Sequence, residues 1–228
     1  MFTKSRFYFI NFTIKYTHKA MRGVYVTIDF EAVNQKGVWL CYCIMVSEYP
    51  RGKVIEFHQG RCDRSDDEYD EITKQFWENH SDAYHIIKSQ YQCLPINDAN
   101  KLLCSRISDI VSKYERAYFV SDNPQFDLKI LDNILTSNGY DPVSRRSENL
   151  YLQCVCTWSF QLSILSLLGF SPIDIDKFLI RKGLISSREI DNYFGPRHTP
   201  RSDCAKILCN HFKILDIIDL YKLRIKHI

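Results

Sequence analysis

The chain has no C-x-x-C pair, no internal repeat, no low-complexity tract and no run of about 18 apolar residues. Without a C-x-x-C pair, the nine cysteines do not match the ligand spacings of structural zinc sites. Their count is odd. Cys41 and Cys43 are two apart, as are Cys154 and Cys156, so each pair would share one face of a strand. These cysteines read as buried free thiols, which implies an intracellular, reducing compartment, cytoplasmic or nuclear. Without a long apolar run, no helix is expected to span a membrane. A strong charge imbalance is also missing. The net charge of +3 neither announces nor excludes nucleic acid, because a basic face beside an acidic site sums to nearly zero. Acidic residues are absent from positions 1–22, which carry Lys4, Arg6, Lys15, Lys19 and Arg22. This stretch has little of the Arg and Ser of a targeting leader and reads as a basic N-terminal extension, an extra strand or arm. Met21 is a second candidate start, because the first core strand follows it at once.

The 228 residues are 45% hydrophobic and 25% charged, enough for one globular domain with a buried core, placed at 23–228. Residues 23–33, GVYVTIDFEAV, form a run rich in β-branched residues and predict a buried central strand with two acids near its end. Residues 37–46 and 53–57 predict two more strands. The short polar connections between the three favour an antiparallel meander. An acidic loop over 63–71 leads into a helix that includes Phe76 and Trp77. Residues 97–114 place apolar side chains at helical spacing. A short strand over 117–120 precedes a helix over 125–135, which Gly139 and Pro142 stop. Residues 148–185 are apolar without clear periodicity, and 181–201 is a basic loop. A last helix is predicted over 200–221, with Thr199 as N-cap and Pro200 at the first helical position. The fold class is α/β, with a central sheet.

Three short segments carry ionisable residues in suggestive places. Asp29 and Glu31, in IDFE, share one face of the first strand. Two carboxylates there repel each other and are costly to desolvate unless a cation lies between them. Asp127, in SDNPQFD, falls in the first turn of a helix, where an acid is also favoured by the helix dipole alone. His198 and Asp203, in HTPRSD, bracket the start of the last helix. The helix fixes Asp203, while His198 is expected to hang on a mobile loop and swing in on binding. Asp122 and Asp132 lie close to Asp127 and compete with it.

Taken in order, Asp29-Phe30-Glu31, Asn123-x-x-Phe126-Asp127 and His198-x-x-x-x-Asp203 resemble the motifs of the DEDDh-type 3′→5′ exonucleases. That family has D-x-E on its first core strand, N-x-x-F-D on a mid-chain helix and H-x-x-x-x-D at a late helix. The resemblance covers residues 23–215. Thr199 stands where the tyrosine variant of the family has its tyrosine, so the histidine variant is the one matched. Residues 73–84, TKQFWENHSDAY, are similar to a segment of phage-type and ribonuclease T-like members, although Phe76 and Trp77 serve equally well as core. Ala32 departs from the threonine common after the family's glutamate, losing a hydroxyl but keeping the backbone N–H.

The resemblance implies a ribonuclease-H-like fold, a central five-stranded mixed sheet with flanking helices. It implies two divalent ions, Mg²⁺ or Mn²⁺, held by Asp29, Glu31, Asp127 and Asp203, since all-carboxylate sites select hard cations. His198 is the implied general base, with a rate that rises through an imidazole ionisation at roughly 6 to 7. Phe30, Ala32, Asn123, Arg197 and Arg201 are candidate substrate contacts. Phe30 would stack on the terminal nucleotide, and the arginines, with Arg188, would hold phosphates. The expected partner is single-stranded or 3′-ended nucleic acid, DNA or RNA. The alternative is a catalytically inactive nucleic-acid-binding module on the same fold.

Overall fold

The computed structural model describes residues 23–49, 52–143, 155–156, 163 and 195–225. The basic extension, Arg188 and nearly all of 148–194 lie outside them. β1 (Gly23–Ala32), β2 (Trp39–Glu48) and β3 (Val54–Cys62) form the expected antiparallel meander. The β1–β2 turn needs a left-handed backbone at Gly37, φ 79°, which glycine adopts without a Cβ clash. β4 (Cys93–Leu94) pairs parallel with the end of β3. β5 (Arg116–Ser121) runs parallel to β1, and β6 (Val155–Cys156) parallel to β5. The sheet therefore has six strands in the order β4-β3-β2-β1-β5-β6, with two residues in each edge strand. β3 runs beyond 57 to Cys62, because Gly60 lets the strand close over Tyr42; a Cβ at Gly60 would sit 3.2 Å from that ring.

Helices α1 (Glu71–Asn79), α2 (Ser81–Gln90), α3 (Ile96–Lys113), α4 (Pro124–Ser137) and α5 (Pro200–Ile225) flank the sheet. One face of β1 (Val24, Val26, Ile28 and Phe30) packs with Leu103, Ile107 and Ile110 of α3 and Leu131 of α4. Fully burying each such side chain stabilises the fold by about 2 kcal/mol. On the other face, Cys43 and Met45 meet Cys204 and Ala205 of α5, while Cys41 meets Trp77 of α1 and Ile87 of α2. Being covered on both faces explains why β1 reads as an almost unbroken apolar run. α2 was not foreseen. It buries only Ala83 and Ile87, too few apolar positions to set a clear period. Among the described residues no helix is long and apolar enough to cross a membrane. Cys41, Cys43, Cys62, Cys93, Cys104, Cys204 and Cys209 are free thiols.

Candidate metal centre

β1 delivers two acids to the face that α5 covers. Strand alternation puts Asp29 and Glu31 on that side and Phe30 on the other. Asp29 is 9% exposed, and its Oδ2 is buried with no hydrogen-bond partner among the described residues. Glu31 is half-buried beside a break in the β1–β2 register that falls between it and Ala32.

α4 delivers the third acid. Pro124 opens the helix, so Asp127 falls in its first turn, 2% exposed. The Phe30 N–H donates to Asp127 Oδ1 at 3.1 Å, and the buried Ser121 hydroxyl donates to Oδ2. The Asn123 N–H donates in turn to Ser121 Oγ at 3.0 Å, so the end of β5 and the start of α4 are tied around this carboxylate.

α5 delivers the fourth acid. The Asp203 N–H donates to Thr199 O at 3.1 Å, and Asp203 Oδ2 accepts from the His198 N–H at 2.9 Å. That bond is made with His198 in a left-handed backbone conformation, φ 66°, uncommon for a residue with a Cβ. Thr199 sits where a cap belongs, but its hydroxyl donates backwards to Pro196 O at 2.8 Å.

The side chains converge in two sets. In one, carboxylate oxygens of Asp29, Asp122 and Asp127 lie within 4.8 Å of one another. In the other, Glu31 and Asp203 oxygens and a His198 ring nitrogen do the same. Crowding buried carboxylates disfavours their charged forms. Asp29 is held well above the usual carboxylate range, first by burial and then by the charges of Asp127 and Glu31. Glu31 is raised by burial and by Asp203, Asp127 and Asp122. Burial lifts Asp127 to about 7 against the two hydrogen bonds it accepts, and lifts Asp203 to about 6 against its bond from His198. A site that strains to keep its acids ionised is chemically suited to a hard divalent cation bound among them.

His198 departs from expectation. Its ring does not hang free: it is half-buried, edge-on to Phe76 at 5.0 Å, with His80 at 4.2 Å between centroids. Burial, and then His80 and Arg197, pull its pKa down to about 4, below the 6 to 7 window expected of an ordinary imidazole. The ring is therefore neutral, and able to accept a proton, well below neutral pH.

Phe30 is a correction. Its side chain is 3% exposed and packs against Trp39 and Tyr42 at centroid distances of 6.0 and 6.1 Å. Because strand alternation turns it away from the acids, it contributes a backbone N–H to the site and no surface for stacking. Ala32 lies at the site's edge, paired with Trp39. Asn123 is exposed just before α4, with no side-chain capping bond. Arg197 is exposed on the loop before His198. The Arg201 guanidinium lies 5.6 Å from the ring centre of Phe57 on β3, and the Arg201 backbone N–H donates to the Tyr91 hydroxyl at 3.1 Å. Asp132 is not part of the cluster; its Oδ1 accepts from the Val143 N–H at 2.6 Å and ties down the loop after α4. Sequence reasoning missed Ser121, His80 and the position of Asp122. A serine directly before an acidic helix start carried a signal for the first; nothing marked the second.

A meander joined in parallel to β5, with acids gathered where β1, α4 and α5 meet, is an arrangement whose overall fold is shared with solved exonuclease structures. The solved structures it matches include two of exonuclease I and one of the nuclease domain of a DEDDh family member. Escherichia coli exonuclease I in complex with a 5cy-dT13 oligonucleotide aligns with a TM-score of 0.55 at 13% identity, over 83% of this chain and 40% of that one. A product-bound exonuclease I structure aligns with a TM-score of 0.54 at 14% identity, over 86% and 44%. The nuclease domain of 3'hExo, a DEDDh family member bound to rAMP, aligns with a TM-score of 0.53 at 9% identity, over 87% and 93%. The chain thus spans about two-fifths of exonuclease I. No family model matches the sequence, and no curated protein matches it.

Proposed function

We propose that this protein is a two-metal-ion 3′→5′ exonuclease that hydrolyses phosphodiesters from the 3′ end of DNA or RNA and releases nucleoside 5′-monophosphates. The activity is assigned to a single domain, residues 23–228, with residues 1–22 as a basic extension. One observation carries the assignment: acids from three distant segments gather in two sets, Asp29 with Asp127 and Glu31 with Asp203, the first holding a buried, unpartnered oxygen of Asp29 and the second a neutral imidazole. The donors fit hard divalent cations, Mg²⁺ or Mn²⁺, because they are almost all carboxylate oxygens. When bound, such ions supply Lewis-acid polarisation of the phosphate and charge stabilisation at the leaving 3′ oxygen.

The chain's own residues do the rest. The four acids hold the ions. The Phe30 N–H and Ser121 hydroxyl fix the orientation of Asp127. The His198 ring accepts the proton of the attacking water. Arg197, exposed on the loop before His198, is assigned to backbone phosphates, and exposed Asn123 and the Ala32 backbone to the same substrate. Arg201, over Phe57, has a shorter reach towards a strand. The partner is single-stranded or 3′-ended nucleic acid. The free thiols suit a reducing, intracellular setting.

The test is digestion of matched 5′-labelled DNA and RNA strands with Mg²⁺ or Mn²⁺. The expected result is a ladder that shortens from the 3′ end, with strong slowing by a blocked 3′-hydroxyl and resistance of a circular single strand. Rapid cutting of the circle would identify an endonuclease and overturn the assignment.

A further inference from the structure

Asp122 has no part in the four-acid arrangement, yet its carboxylate lies within 4.8 Å of those of both Asp29 and Asp127. We propose that Asp122 is a further metal ligand, and that Asp29, Asp122 and Asp127 form a cation site complete without nucleic acid, beside a second set made by Glu31 and Asp203. The proposal rests on the two-ion assignment above and adds a residue and an order of events to it.

Two observations apart from the crowding of acids support it. Asp29, nine-tenths buried, directs a carboxylate into this set while its Oδ2 has no hydrogen-bond partner among the described residues. A buried carboxylate oxygen with no donor is a costly arrangement unless a cation answers it. Asp127 is already partly committed, because each of its oxygens accepts one hydrogen bond, from the Phe30 N–H and from the Ser121 hydroxyl, leaving one lone pair on each. An ion between Asp29 and Asp127 would therefore meet one unengaged carboxylate and one partly committed one. Asp122 stands on the exposed side of both and brings a third anionic group. With three protein carboxylates at one position, a substrate phosphate is not needed to complete the ligand set, so this ion would be loaded first.

The experiment is a Mn²⁺ titration of the full chain without nucleic acid, followed by calorimetry and by the paramagnetic signal of free Mn²⁺. The variants are Asp122→Asn and, as a control for general charge, Glu115→Gln on the α3–β5 connection. Wild type is expected to bind two ions. Asp122→Asn is expected to keep one and to weaken the other by at least about tenfold, the scale of losing one close charge, with an unchanged circular dichroism spectrum. Glu115→Gln is expected to match wild type. Two ions bound by Asp122→Asn with both affinities as in wild type would overturn the proposal. So would a single ion in wild type, or equal weakening by Glu115→Gln. Wild type that binds no Mn²⁺ at all would overturn the two-ion assignment itself, an outcome distinct from the other three.

Discussion

Replacing Asp127 by Asn should stabilise the metal-free protein while destroying its activity. Asp127 is 2% exposed and ionises at about 7, against an ordinary 3.8. The fold therefore holds this proton more tightly than the unfolded chain does. The resulting stability is fully present below pH 3.8, erodes as pH rises from there, and is gone above about pH 7, where the charged form stands as a full penalty. At 1.4 kcal/mol per pKa unit, the gap corresponds to about 4 kcal/mol at pH 8 without metal. An Asn at 127 carries no charge and can still accept from the Phe30 N–H. Its amide N–H must, however, share Ser121 Oγ, which already accepts from the Asn123 N–H. That competition removes part of the gain, leaving about 1–3 kcal/mol, or roughly 2–10 °C in Tm for a domain of this size.

The assay is thermal unfolding of both proteins at pH 4 to 8, in chelator and in Mn²⁺. In chelator at pH 8 the variant should melt above wild type, with the difference shrinking towards pH 4. Mn²⁺ should raise the wild-type Tm by clearly more than the variant's, since binding to the folded state alone stabilises it and the variant keeps only the Glu31 and Asp203 set intact. A variant that melts below wild type in chelator at pH 8, or that gains as much from Mn²⁺, would refute the argument.

Further outcomes are expected at His198, Phe30 and Ser121. His198→Ala should keep Mn²⁺ binding and lose about 10²- to 10⁴-fold in single-turnover rate. Because His198 is pulled down to about 4, the wild-type rate at saturating Mg²⁺ should show no imidazole step between 6 and 7 and should fall only as pH drops towards 4. Phe30→Ala should cost about 3–5 kcal/mol in denaturant unfolding, as for a large core truncation, whereas Phe30→Leu should retain KM; a raised KM in a fully stable Phe30→Leu would restore the stacking role. Ser121→Ala should cost about 1–2 kcal/mol and lower kcat more than KM, because Asp127 loses the donor that orients Oδ2; unchanged kcat would make that bond structural only.

The central fold was legible because its signals are local. β1 is covered on both faces, so it must be apolar and β-branched, and the sequence GVYVTIDF is both. α3 repeats its apolar residues at the period its buried face requires. α2 was invisible because two buried residues set no period, and β4 because two residues are too few to carry a pattern. The ordered acids and His198 were legible as motifs, and the structure gathers them in two sets, Asp29 with Asp127 and Glu31 with His198 and Asp203. The role given to Phe30 conflicted with a rule already in use: if Asp29 and Glu31 share one strand face, Phe30 has to lie on the other. Asp122 and His80 depended on tertiary proximity. One lies beside a strand it does not belong to, and the other sits at the junction of two helices, so their neighbours in sequence said nothing about their neighbours in space.

The bond from the Phe30 N–H to Asp127 joins positions 97 apart, and the one from the Cys204 thiol to Cys43 O joins positions 161 apart. The acidic centre is thus assembled from pieces that a ribosome delivers at widely separated times. With β1 through α4 made, the nascent chain would hold Asp29, Glu31, Asp122 and Asp127, while Asp203 and the only imidazole of the two ligand sets were still to come. α5 brings both in a single docking event, with Cys204 seated against Cys43 on the same sheet face that carries the acids. Until α5 docks, Asp203 and His198 are missing from the gathered side chains, so whatever chemistry depends on them has to wait for that single step.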